Sequence, residues 1–321
     1  MSELVACRDA FGRALTELGR HDQRIVVLDA DLATSTKVSM FAAEFPERFF
    51  EVGIAEQNMV SMAAGLAAMG FVPFTSTFAC FASKRATDQV RICVAQPRLP
   101  VVLTGAYSGL LAGKTGKTHQ SVQDIAIFRS MPEMTVVVPG DAVETAGAVR
   151  AAVEWGRLEY LRLTRDPAPV VFDGGYEFRI GRGVVVREGA DVALVTTGLM
   201  LARALDAAER LGREGIESHV LHLPTVKPLD EEAVLAAAAK TAAVVTAEEH
   251  NVIGGLGSAV AEVLSERRPG VVRRVGIGDV FGESAPNEEL LHKYGLTAEH
   301  IVGAAREALR AASNTHTATG A

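Results

Sequence analysis

Glu56 is the residue of this 321-residue chain best placed to do chemistry. It stands in Gly53-Ile54-Ala55-Glu56-Gln57, just after a short extended run from Phe49 to Val52. Ile54, Met59, Met62, Ala63 and Leu66 recur at roughly helical spacing, so Glu56 falls in a first helical turn at a strand-to-helix corner. Corners of this kind line active sites in α/β proteins. The plainer reading is that the carboxylate only complements the helix dipole. Phe78 and Phe81 lie three apart at the expected start of another helix, which puts both rings on one face; core packing is the default meaning of such a pair. His119 follows a loop with glycines at 109, 113 and 116, where a histidine can shuttle protons or merely cap a helix and meet solvent.

Alternating apolar runs and helical stretches set the elements that must hold these side chains. Strands are predicted at Ile25–Leu28, Phe71–Phe74, Val101–Thr104, Thr135–Val138 and Tyr160–Leu163, with helices near 3–19, 54–69, 79–94, 120–130 and 141–155. This is the rhythm of a parallel sheet covered on both faces. The Pro- and Gly-rich stretch 167–183 reads as a linker between the first domain, 1–166, and a second, 184–311. In the second, strands are expected at Val192–Thr196, Ser218–Leu221, Ala243–Ala247 and Val272–Val275, and helices at 199–214, 230–239, 254–266 and 298–311. Residues 312–321, small and polar, are expected to be a disordered tail. The fold class is therefore α/β, with two consecutive domains on mostly parallel sheets.

Composition narrows the function classes. A formal charge of −7 without any Lys/Arg-rich run argues against a nucleic-acid surface. No apolar stretch is long enough to span a membrane and the N-terminus lacks a signal-peptide pattern, so a cytoplasmic protein is expected. Cys7, Cys80 and Cys93 show no CxxC spacing, and the eight histidines no HExxH pairing, so no metal site is expected on this chain.

The order and separation of several motifs carry a resemblance. After Glu56 come Ser76-Thr77-Phe78-Ala79-Cys80-Phe81, Gly116-Lys117-Thr118-His119-Gln120, and Met131-Pro132-Glu133-Met134 with Val136-Val137-Val138-Pro139 and Asp141. Thr246-Ala247-Glu248-Glu249-His250 and Gly254-Gly255-Leu256-Gly257-Ser258-Ala259 follow in the second half. Over roughly residues 3–310 the chain resembles the transketolase family, first its pyrimidine-binding domain and then its C-terminal domain. The resemblance implies thiamine diphosphate as cofactor, with Glu56 on N1′ of the aminopyrimidine. An apolar surround from Ile54, Met59 and Met62 would keep the carboxyl partly protonated. It implies Phe78 and Phe81 as the ring platform, Asp31 and Ile54 as further cofactor contacts, and His119 as the group that hydrogen-bonds substrate hydroxyls and helps proton transfer. Arg8, Ser35 and Arg165 match positions that bind a sugar phosphate.

The departures matter as much. Lys84 stands where the family usually has a further aromatic. Tyr107 replaces a histidine that touches the substrate phosphate. Lys114 and Thr115 replace an acidic pair whose aspartate reads the hydroxyl beside the acceptor aldehyde. The Gly-Asp-Gly segment that holds Mg²⁺ and the diphosphate does not occur in the sequence. The resemblance therefore implies a C-terminal subunit of a split transketolase. An N-terminal subunit carrying Gly-Asp-Gly would bind Mg²⁺, in a heterotetramer of two copies of each. Two other readings share the layout: the β subunit of a 2-oxoacid dehydrogenase, disfavoured by the Lys117-Thr118-His119-Gln120 and Met131-Pro132 segments, and a non-catalytic assembly subunit that kept the fold.

Overall fold

The apolar runs form strands buried on both faces. In Ile25–Asp29 every residue is buried, as is every residue of Val192–Thr196, which is the mark of sheets covered by helices on each side. The computed structural model describes residues 3–319. Its first sheet has seven strands in the spatial order Thr225–Lys227, Thr135–Val137, Glu159–Arg162, Val102–Ala106, Val72–Phe78, Ile25–Asp29 and Phe49–Glu51. All pair in parallel except Thr225–Lys227, which runs antiparallel to Thr135–Val137. The second sheet has five strands, ordered Val272–Ile277, Ala243–Asn251, Val192–Thr196, Ser218–His222 and Val184–Arg187, the last antiparallel.

Helices close both sheets. Met200–Arg213 buries Met200, Leu201, Ala204, Ala208 and Leu211, a stripe at three- and four-residue spacing that packs into the second core. The Ala142–Trp155 helix is opened by Asp141, whose carboxylate accepts the Glu144 amide at 2.8 Å. The other oxygen of Asp141 accepts the amides of Val171 and Phe172, so one N-cap also ties down the chain that leaves the first domain.

Four short strands go beyond the sequence reading. Leu4–Ala6, expected to be helical, pairs with Pro167–Pro169, and the first helix runs Cys7–His21. The expected linker thus begins as a strand clipped to the N-terminus. Thr225–Lys227, from the second half of the chain, extends the first sheet. Val184–Arg187 closes one edge of the second. The expected helix at 79–94 is three pieces, Ala79–Lys84, Thr87–Gln89 and a π-helical turn at Val90–Ala95, with Arg85 and Ala86 at the break. The last helix continues from Ala298 to Thr319, past the expected end of the domain at 311, because Ala312 still packs into the second core. Residues 320 and 321 of the expected tail lie outside the described residues. Among the described residues no helix is long and apolar enough to cross a membrane.

Glu159 is a fully buried carboxyl at the head of a central strand, and neither oxygen has a hydrogen-bond partner. Burial pushes its pKa from an ordinary 4.5 up to about 8. The fold therefore holds a proton that the unfolded chain releases, and this contribution to stability is lost as pH rises from about 4.5 through about 8. Across that window the melting temperature of the wild type should fall relative to that of Glu159→Gln. Parallel melting curves against pH would show that the carboxyl titrates normally.

Candidate active site

The site lies where parallel strands end. Phe49–Glu51 leads to Glu56, Val72–Phe78 ends on Phe78, and Val102–Ala106 leads to Tyr107. Two carboxylates shape the first corner. Glu51 Oε1 accepts the backbone N–H groups of Asp31 and Gly53, each at 2.9 Å, which stitches the loop after Ile25–Asp29 to the turn before Glu56. Asp31 and Gly53 both have positive φ, 61° and 71°, as that tight approach requires. Asp29 is fully buried beside them and accepts the Leu32 amide at 2.6 Å. Burial, with the nearby Glu51 charge, raises its pKa to about 7 against the lowering effect of that amide.

Asp31, Ile54, Glu56, Phe78, Phe81 and His119 share one cavity of about 360 Å³. Glu56 opens the Glu56–Ala68 helix and is 3% exposed. Phe78 is the last residue of its strand rather than part of a helix, and Phe81 sits in the following short helix. Their ring centroids are 5.7 Å apart and 25° from parallel. His119 meets both rings edge-on, at 6.0 and 5.4 Å, and its Nδ1 lies 2.9 Å from the Thr118 hydroxyl. The expected apolar surround of Glu56 is not what meets its carboxylate. Met59 is buried, but Ile54 is 73% exposed, and Arg85 Nη1 donates to Glu56 Oε1 at 2.8 Å. Arg85 was legible only as a residue four after Phe81, a spacing that brings side chains together on a helix.

A second cluster adjoins the cavity through Tyr107, which stacks on Phe78 with centroids 4.1 Å apart. Arg8 Nη1 donates to the Tyr107 hydroxyl at 2.6 Å and to the backbone carbonyl of Ser35 at 2.9 Å. The guanidinium groups of Arg8 and Arg165 each lie 5.3 Å from the Tyr107 ring centre. Arg8, Ser35, Tyr107 and Arg165 are thus together, with Ser35 engaged through its backbone. Thr115 joins neither group: it is the exposed end of the Gly113–Thr115 turn, and its hydroxyl donates to Ala112 O at 2.6 Å. Among the described residues no group of three or more His, Cys, Asp or Glu side chains could hold a metal ion.

The loop that carries His119 is held from behind by the second domain. Arg162 Nε donates to Asp124 at 2.8 Å, and its Nη2 donates to the carbonyls of Ser121 and Glu249. Tyr160 donates to the same Asp124 carboxylate at 2.6 Å. Burial alone would raise the Asp124 pKa, but the charges of Arg162 and His250 hold it below the usual carboxylate range. Glu249 Oε1 accepts the Leu110 amide, and Gly109, at φ 69°, packs so closely on that carboxyl that a Cβ would collide with it. Gln120 donates to Leu110 O and Glu283 O, and Asn287 exchanges hydrogen bonds with Gly113 and Leu111.

Fold and cavity together define a class: a two-domain α/β enzyme with its chemistry at the carboxyl ends of the parallel strands. Residues 3–169 match the transketolase pyrimidine-binding domain and residues 181–301 the transketolase C-terminal domain. The 6-deoxy-6-sulfo-D-fructose transketolase subunit of Clostridium sp. (strain MSTE9) is 47% identical over 94% of this chain and 93% of its own length. A putative transketolase C-terminal section of Methanocaldococcus jannaschii is 42% identical over 92% and 93%. A solved split-gene transketolase, described as an inactive β4 tetramer, superposes with a TM-score of 0.90 at 50% identity, over 95% of this chain and 99% of that one. The chain belongs to the transketolase family and is a transketolase-type transferase.

The Arg162–Asp124 pair is 2% and 0% exposed. Arg162→Met leaves a buried carboxylate uncompensated and should cost about 3–5 kcal/mol, read from denaturant unfolding. A loss within about 0.5 kcal/mol would mean that the loop does not hang on this pair.

Proposed function

We propose that this chain is the C-terminal subunit of a two-chain transketolase. It would move a two-carbon ketol unit from a ketose to an aldehyde or aldose, with thiamine diphosphate held between it and a separate N-terminal subunit. The observation that carries this reading is the buried Glu56 carboxylate sharing one cavity with Phe78, Phe81 and His119. A carboxylate, flat ring faces and exposed Ile54 fit the aminopyrimidine half of the cofactor. When bound, thiamine diphosphate supplies a carbanion at C2 of its thiazolium ring, the nucleophile for ketol transfer.

The chain's own residues supply the rest. Glu56 holds the proton at N1′, which tunes the ring for general acid–base work worth roughly 10²–10⁴ in rate. Phe78 and Phe81 fix the ring plane by stacking, which adds about 0.5–1.5 kcal/mol. His119, on its braced loop, moves the proton at a substrate hydroxyl. Arg8 and Arg165 receive an anionic terminus across Tyr107, and the sulfonated sugar in the name of the Clostridium relative suits that pair of guanidinium groups. Position 115 carries no carboxylate to read the hydroxyl beside the acceptor aldehyde, so acceptors lacking that hydroxyl are excluded less strongly. The diphosphate and Mg²⁺ fall to the partner with its Gly-Asp-Gly segment. Two copies of each chain form the working assembly.

The purified chain alone should show no ketol transfer, and mixing with the Gly-Asp-Gly subunit should restore it. Robust turnover by the isolated chain would sink the two-chain reading. In the mixed complex, Glu56→Gln should leave assembly intact and slow exchange of the cofactor's C2 proton by at least about a hundredfold. Wild-type exchange in that variant would remove Glu56 from the mechanism.

A further inference from the structure

Burial sets a problem that Arg85 solves. The Glu56 side chain is 3% exposed, and a carboxylate withdrawn so far from water needs a cation or several donors. Arg85 supplies the cation, with Nη1 2.8 Å from Glu56 Oε1. The same guanidinium lies over the Phe81 ring with its carbon 3.9 Å from the centroid. A flat cation with N–H donors therefore fills the gap between an aromatic face and a buried carboxylate, the arrangement for which guanidinium is best suited.

On the thiamine reading of the site, on which this inference rests, an aminopyrimidine needs the same two contacts from this chain: a ring face to stack on and a carboxylate for its N1′. Arg85 and the aminopyrimidine cannot share that face of Phe81. A guanidinium carbon 3.9 Å above the ring centre is already at stacking distance and leaves no space for a second ring on that face. Arg85 is also free to leave. Its side chain is 48% exposed, and it sits at the break between the helices Ala79–Lys84 and Thr87–Gln89. Beside it an open recess of about 730 Å³, bordered by Gln57, Asn58 and Lys84, can take the displaced side chain.

We propose that Arg85 is a stand-in for the aminopyrimidine. In the free subunit it occupies the ring's place, pairs the Glu56 carboxylate and covers Phe81, and it swings into the adjoining recess when thiamine diphosphate enters. The contact keeps an unliganded subunit from carrying a naked buried charge, and it holds most molecules in a state that cannot accept the ring. Apparent affinity falls in proportion to the competent fraction, so a stand-in present nine times in ten weakens binding about tenfold.

The test is calorimetric titration of thiamine diphosphate into the assembled two-subunit complex, wild type against Arg85→Ala, with Arg85→Gln as a second variant should the first not fold. Both variants should bind the cofactor more tightly, Arg85→Ala by about tenfold. A companion measurement uses the full chain alone. Arg85→Ala should melt below the wild type, and that loss should shrink in a Glu56→Gln background, where the arginine keeps only its contact with Phe81. Unchanged or weaker cofactor binding in Arg85→Ala and Arg85→Gln, with normal binding by the wild type, overturns the stand-in and leaves the thiamine reading intact. Absence of thiamine diphosphate binding by the wild-type complex overturns both.

Discussion

The buried pair of Arg162 and Asp124 is the contact on which the rest of the site depends. An arginine inside a protein is tolerated only when every donor finds a partner, and this one spends its donors on three parts of the chain. Asp124 anchors the helix after the histidine loop, the Ser121 carbonyl ends that loop, and the Glu249 carbonyl belongs to the second domain. A parallel strand, a glycine-rich loop and a separate sheet thus meet on one guanidinium. The Glu249 carboxyl, Gln120 and Asn287 continue the seam on either side. No residue lining the cavity comes from the second domain, yet that domain holds the loop on which His119 stands.

On the opposite wall the ordering principle is also a carboxylate taking backbone donors. Glu51 accepts from Asp31 and Gly53, so the two loops that flank the Glu56 corner are fixed relative to each other before any ligand arrives. Tyr107 joins this wall to the arginine cluster. Its ring stacks on Phe78 while its hydroxyl takes a donor from Arg8, so the aromatic rings and the arginine cluster form one continuous surface. On the function proposed above, a substrate gripped at its charged end would be held at a set distance from the reacting centre, which is how remote binding energy becomes orientation.

Local pattern was enough for much of this. Apolar runs such as Ile25–Leu28 and Val192–Thr196 can be little else than buried strands, and the sequence neighbours of Glu56 mark its corner. What escaped was set by distant parts of the chain. Leu4–Ala6 has no strand signal of its own and becomes one by pairing with Pro167–Pro169. The break at Arg85 hides inside a run that looks helical throughout. The pairing of Arg85 with Glu56 crosses 29 residues, and no periodicity reports it. Thr115 takes the place of the family's hydroxyl-reading aspartate by its position before His119, whereas the turn it ends directs its hydroxyl to Ala112 O. Counting aligns positions along a chain and says nothing of the direction in which a turn aims them.

The strand Thr225–Lys227 carries a last consequence. It leaves the second domain to lie along Thr135–Val137, so the outermost ladder of the first sheet is completed by residues that follow the linker. A chain severed near residue 180 would leave that ladder open, with the N–H and C=O groups of Thr135–Val137 facing water beside an apolar core. Such an edge recruits whatever strand comes near, including its own copy. The two halves are therefore poor candidates for separate expression.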